Sequence, residues 1–180
     1  MSSFARLKHI QDYDQVSYYS VCVGDDPQTF DDQDSLYESF LKTQGEVNRK
    51  KVIHIINWLK EIGERYGAQK HLFRDEQKQG EANALPPEGT NRRPTYTEAG
   101  KNIPNNLRLY CYRLNEHVVI LFSGAVKTAK YAQDCPNVNP HFAEANRLTK
   151  AIDTAIKEKD IRWIDNFSDI AFEDDIIMDL

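Results

Sequence analysis

Long hydrophobic runs are missing from this chain; the longest is Val118-Val119-Ile120-Leu121-Phe122. A membrane-spanning helix needs about 20 consecutive apolar residues, so the sequence argues against one. The opening Met1-Ser2-Ser3-Phe4-Ala5-Arg6 lacks the apolar stretch of a secretory leader. Cysteine is scarce: Cys22, Cys111 and Cys135 are the three in 180 residues, and they form no CxxC pair. Such a set argues against a disulfide scaffold or a zinc ribbon and for a reducing cytoplasm. The five histidines (His9, His54, His71, His117 and His141) never stand at helical ligand spacing, so no metal site or cofactor is expected. The phosphate-loop, dinucleotide, nucleophile-elbow and HExxH signatures are all absent.

What is present is a folded composition, 40% apolar and 28% charged, long enough for one domain with a sizeable core. The net charge of −5 hides an asymmetry. Residues 25–38 hold Asp25, Asp26, Asp31, Asp32, Asp34 and Glu38 with no Lys or Arg. Residues 165–180 hold Asp165, Asp169, Glu173, Asp174, Asp175 and Asp179, again without a base. The other 150 residues carry 23 basic groups against 16 acidic. A basic body of this kind suits a polyanion partner, although solvated surface charge gives the same count.

Periodicity orders the elements. Tyr18–Val23 reads as a strand ended by Gly24-Asp25-Asp26-Pro27. Asp34 or Ser35 caps a helix with Leu36, Tyr37, Phe40 and Leu41 on one face, and Gly45 ends or bends it. Val52, Ile55, Ile56, Leu59 and Ile62 mark a second helix, stopped at Gly67. His71–Arg74 is a candidate short strand, and 77–100 shows no period and reads as a mobile insertion. Leu107–Leu114 and His117–Ser123 form two strands about the turn Asn115-Glu116. Asn139-Pro140 opens a last helix with the stripe Phe142, Ala145, Leu148, Ile152, Ala155 and Ile156. The acidic segment 165–180 interleaves large apolar residues, so it docks on something: on its own domain, or across the lysines below as a tethered competitor for RNA. Residues 1–180 thus read as a single α+β domain.

Chemistry concentrates between Leu107 and Pro136. Arg108, Tyr110 and Tyr112 alternate with Leu107, Leu109 and Cys111 on the first strand. The second strand leads through Gly124 to Lys127, Lys130 and Tyr131. Glycine permits close backbone approach, the cations suit a phosphodiester, and the tyrosine rings suit an unstacked base. Ordinary surface lysines at a strand end are the competing reading. Cys135, before Pro136 in a polar loop, reads as the most exposed thiol, and His54 as a structural side chain.

The run Leu107–Tyr112, a turn, Val118–Phe122 and then Lys127-Thr128-Ala129-Lys130 resembles the RelE/HigB-like toxin family, with the phage-derived HigB type nearest. The preceding strand and helix pair are in the family's order, and the resemblance covers roughly Tyr18 to Ile156. It implies a RelE-like fold, a compact antiparallel sheet packed by two N-terminal helices. It also implies metal-free messenger-RNA cleavage, on the ribosome or apart from it, in a type II toxin–antitoxin system. In this reading a 2′-hydroxyl attacks the adjacent phosphate. Arg108 and Lys127 hold that phosphate, Lys130 assists, and Tyr110, Tyr112 or Tyr131 stacks on a base. The partners implied are mRNA or the ribosome and a cognate antitoxin. The family's second lysine is Thr128 here, and the 77–100 stretch and the acidic tail are additions. The alternatives are a non-catalytic module binding a helix-turn-helix regulator or antitoxin, and a gyrase-directed toxin on the same fold.

Overall fold

The apolar run Val118–Phe122 lacks a polar face, so it must be covered on both sides. A computed structural model describes residues 3–75 and 82–180. The chain begins with the antiparallel pair β1 (Phe4–Asp12) and β2 (Ser17–Gly24), then helices α1 (Leu36–Val47) and α2 (Arg49–Glu61). Short strands β3 (Arg74–Asp75), β4 (Asn83–Leu85), β5 (Thr97–Glu98) and β6 (Lys101–Asn102) follow. The long pair β7 (Leu107–Arg113) and β8 (Val118–Val126) leads to α3 (Asn139–Lys157). The hairpin β9 (Ile161–Ile164) and β10 (Asp169–Phe172) and the strand β11 (Met178–Asp179) close the chain.

Among the described residues, seven strands form one sheet in the order β11-β1-β2-β8-β7-β4-β3. The sheet is mixed, since β2 runs parallel to β8 with Ser17 opposite Val118, while the other pairs are antiparallel. This corrects the expected all-antiparallel sheet. One face carries Tyr18, Leu107, Leu109, Cys111, Val119 and Leu121 under α1 and α2. The other carries Tyr19, Val21, Tyr110, Ile120 and Phe122 under α3. The architecture is α+β, with helices on both faces.

Local chemistry accounts for most boundaries. Ser35 forms a capping box with Glu38 at the start of α1. Gly45 neither ends nor bends that helix, which runs on to Val47. Gly67, at φ +71°, closes the π-type turn Ile62–Tyr66 that extends α2, and its N–H reaches the Ile62 carbonyl. Asn139 is the first residue of α3 rather than its cap, which is Val138 with no side-chain bond. The turn before β8 is longer than two residues, and Asn115 Oδ1 accepts from the N–H groups of His117 and Val118.

Two further expectations are corrected. Residues 70–72 form a 3₁₀ turn, and only Arg74–Asp75 pairs as a strand. Of the stretch 77–100, residues 77–81 lie outside the described residues. The rest is not without structure: β4 pairs with β7, Leu85 opposite Leu109, and Ala82, Ala84, Leu85 and Tyr96 are buried.

Gly124 of β8 stands directly against the β7 main chain. A Cβ there would stand 1.7 Å from the Arg108 carbonyl oxygen, so the glycine serves strand packing and is not a cradle for a phosphate. Gly124→Ala should therefore cost about 3 kcal/mol or more. Gly45→Ala, in the interior of α1 with nothing within 4 Å, should add about 0.5–1 kcal/mol. Urea midpoints followed by circular dichroism test the pair, and an unchanged midpoint for Gly124→Ala would contradict the close approach.

Candidate functional site

Arg108 lies on β7 opposite Ala125 of β8 and is 8% exposed. A buried guanidinium needs acceptors, and it finds main chain. Nη1 donates to the carbonyls of Asn105 at 2.7 Å and Leu107 at 3.3 Å. Through these bonds Arg108 anchors the entry of β7, the strand position at which a phosphate contact was expected.

Asn105, itself buried, is the hub of that anchor. Its Nδ2 donates to the Lys51 carbonyl at 3.0 Å and to His54 Nδ1 at 2.9 Å. Its Oδ1 accepts from the Leu107 N–H at 3.0 Å. With Nδ1 accepting, the neutral ring carries its proton on Nε2, which donates to the Pro94 carbonyl at 3.1 Å. Burial lowers the His54 pKa and favours this neutral form, against the smaller opposing effect of the Pro94 bond. Asn105 thus joins α2 to the start of β7, and His54 carries the chain of bonds on to the loop before β5. The structural reading of His54 fits this arrangement. The role of Asn105 had no signal in the sequence beyond a polar residue before a strand.

The tyrosines divide. Tyr110 is fully buried with its ring 5.3 Å from Phe142, so it offers no face to a base. Tyr112 is half-buried, and its hydroxyl donates to Asp153 Oδ1 of α3 at 2.5 Å. The expectation for Tyr110 is corrected because α3 covers the face of β7 that looked open in the sequence, and the same helix holds the Tyr112 hydroxyl. Tyr131 is 40% exposed, with the Lys130 ammonium 5.3 Å from its ring centroid. Lys130 is exposed and Lys127 half-buried, and the Lys127 N–H donates to the Asn106 carbonyl at 2.8 Å. Of the six candidates, the structure leaves Lys127, Lys130 and Tyr131 together in one surface segment.

Cys135 holds that segment in place. It is buried, which corrects the reading of an exposed thiol. Its Sγ accepts from the Thr128 N–H at 3.3 Å and lies 3.4 Å from Thr128 Oγ1. Burial opposes ionisation. The Thr128 hydroxyl and the N–H groups of Thr128, Val138 and Asn137 outweigh it and bring the pKa down to about 6.

Part of each acidic stretch lies along β1, while Asp169 meets Tyr19 of β2 and the Phe167 carbonyl accepts from Asn115 in the β7–β8 turn. Asp31 pairs with Arg6 of β1 at 2.8 Å, and Asp179 of β11 stands opposite Phe4 of β1. The C-terminal segment therefore docks on its own chain, as hairpin and edge strand. The version in which it lies across Lys127 and Lys130 is corrected. In the sheet β11 is three strands from β8, roughly 14 Å at the usual spacing.

No helix among the described residues is long and apolar enough to cross a membrane. Among the same residues no group of three or more His, Cys, Asp and Glu stands together as a metal site would require. Fold and site together define an α+β protein with a mixed sheet and a small exposed cation–aromatic segment. No family model, no curated protein and no solved structure matches the chain.

Burial raises the pKa of Cys22 and of Cys111, so one thiol should ionise near pH 6. Ultraviolet thiolate absorbance should show a single transition there, absent in Cys135→Ala. Because this pKa lies below the ordinary thiol value of 9.0, the sulfur's contribution to stability is complete above that value. It is lost as pH falls toward 6. A first transition near pH 9 would contradict the assignment.

Proposed function

We propose that the protein binds single-stranded RNA through Lys127, Lys130 and Tyr131, on an α+β scaffold of RelE-like type. The observation that carries this reading is the exposed pair of Lys130 and Tyr131 beside Lys127, in the segment after β8, three strands from the acidic edge strand β11. Lysine ammonium groups neutralise phosphates and release counterions, while an exposed tyrosine ring stacks on a base of any identity. Messenger RNA is the substrate class that the resemblance names. The mode is binding rather than cleavage. A RelE/HigB-like phosphate transfer would need the strand arginine on the phosphate, and the Arg108 guanidinium is turned into the carbonyls of Asn105 and Leu107.

Fluorescence anisotropy of a labelled RNA of about 12 nucleotides, a length within common single-strand site sizes, tests this. Lys127→Ala and Lys130→Ala should each make the salt slope shallower by about 0.7. Tyr131→Ala should cost about 1–3 kcal/mol of binding. Lys130→Ala and Tyr131→Ala should keep the urea midpoint, since both side chains are exposed. Wild-type affinity in all three variants would overturn the site. New RNA 5′ ends that vanish in a folded Arg108→Ala variant would overturn binding without cleavage.

A further inference from the structure

A second cationic and aromatic surface lies at the other end of α2, and the sequence reading did not single it out. The π-type turn after the helix and the loop 86–96 face each other across a groove of two adjoining lobes. One, of about 310 Å³, is lined by Trp58, Tyr66, His71, Leu72, Arg92 and Arg93. The other, of about 390 Å³, is lined by Lys60, Glu61, Arg65, Tyr66, Arg93 and Pro94. Tyr66 and Arg93 belong to both lobes.

The walls are held rather than loose. Trp58 is buried and supports the Tyr66 ring, with centroids 6.4 Å apart and Tyr66 39% exposed. Arg92 Nη1 donates to the His71 carbonyl at 3.4 Å, tying the loop to the segment after α2. Pro94, next to Arg93, is fixed by the His54 bond, and the His54 ring lies 5.6 Å from that of Tyr96. Lys60, Arg65, Arg92 and Arg93 are all exposed. Among the residues lining the two lobes the acid is Glu61, 3.6 Å from Arg65, while Glu64 of the turn and Glu88 of the loop are exposed outside the lining.

We propose that this groove binds a nucleotide unit of a single-stranded nucleic acid. A base stacks on Tyr66, the phosphate on one side lies on Arg92 and Arg93, and the next lies toward Arg65 and Lys60. Guanidinium groups match phosphate oxygens in bidentate geometry, and a tyrosine backed by a tryptophan is a firm stacking platform. Each lobe falls near the small end of the usual range for ligand pockets. The choice of ligand rests on the RNA reading, and the site then extends it. Lys51, in the first turn of α2, bonds Asn106 at 2.7 Å, and Asn106 receives the Lys127 N–H. The two contact regions therefore flank the 13 residues of α2, about 20 Å along its axis. One strand can touch both.

The test is anisotropy with labelled RNA and DNA of one sequence, using the full chain. Tyr66→Ala should weaken binding about 5- to 150-fold, and Tyr66→Phe should hold it within about twofold. The double variant Arg92→Gln/Arg93→Gln should make the salt slope shallower by about 1.4. Stacking and phosphate contacts do not read the 2′-hydroxyl, so the losses should appear with both nucleic acids. Loss in these variants with Lys127→Ala and Lys130→Ala unaffected would support the groove and overturn the segment proposed above. Loss only in the lysine variants would overturn the groove. Failure of the wild-type protein to bind either probe would overturn both.

Discussion

The side chain of Asn105 is the constraint on which the working surface depends. It is buried, and it bonds an α2 carbonyl, a histidine of α2 and the first N–H of β7, while the main-chain carbonyl of the same residue receives Arg108. A buried amide left without these partners is costly, so the loop before β7 has one low-energy position. That position puts Pro94, and with it Arg93, beside α2. It also turns the strand arginine inward.

Charge is sorted by the topology. Asp31 of the 3₁₀ segment after β2 and Asp179 of the C-terminal strand stand along β1 at one side of the sheet. The cations of α2, of the loop 86–96 and of the segment after β8 stand toward the β7 and β4 side. A net charge of −5 would discourage a polyanion partner if it were spread evenly. Divided this way, the molecule presents a local positive field to such a partner, steepened at low salt.

The elements with a full hydrophobic period were legible in the sequence: α1, α2, α3, β2, β7 and β8 all stand where their patterns place them. β1 was not, because Arg6, Lys8, His9 and Gln11 leave only Ala5 and Leu7 as its buried pair. β4 has three residues before Pro86-Pro87, and its strand character comes from pairing with β7, which no local pattern announces. The candidate site was legible in residue type but not in direction. Alternation correctly separated Arg108, Tyr110 and Tyr112 from their neighbours. It did not reveal that α3, thirty residues later in the chain, covers that face. The groove beside Tyr66 was hidden for a related reason, since its arginines come from a loop with no period and meet α2 only through tertiary contacts.

Hydrogen–deuterium exchange on the Asn105→Ala variant tests the central claim most directly. The account predicts faster exchange in residues 86–106 and in the first turns of α2, with β8 and α3 protected as in the wild type. A variant that exchanges like the wild type through 86–106 would contradict it, because the loop would then be held without the asparagine.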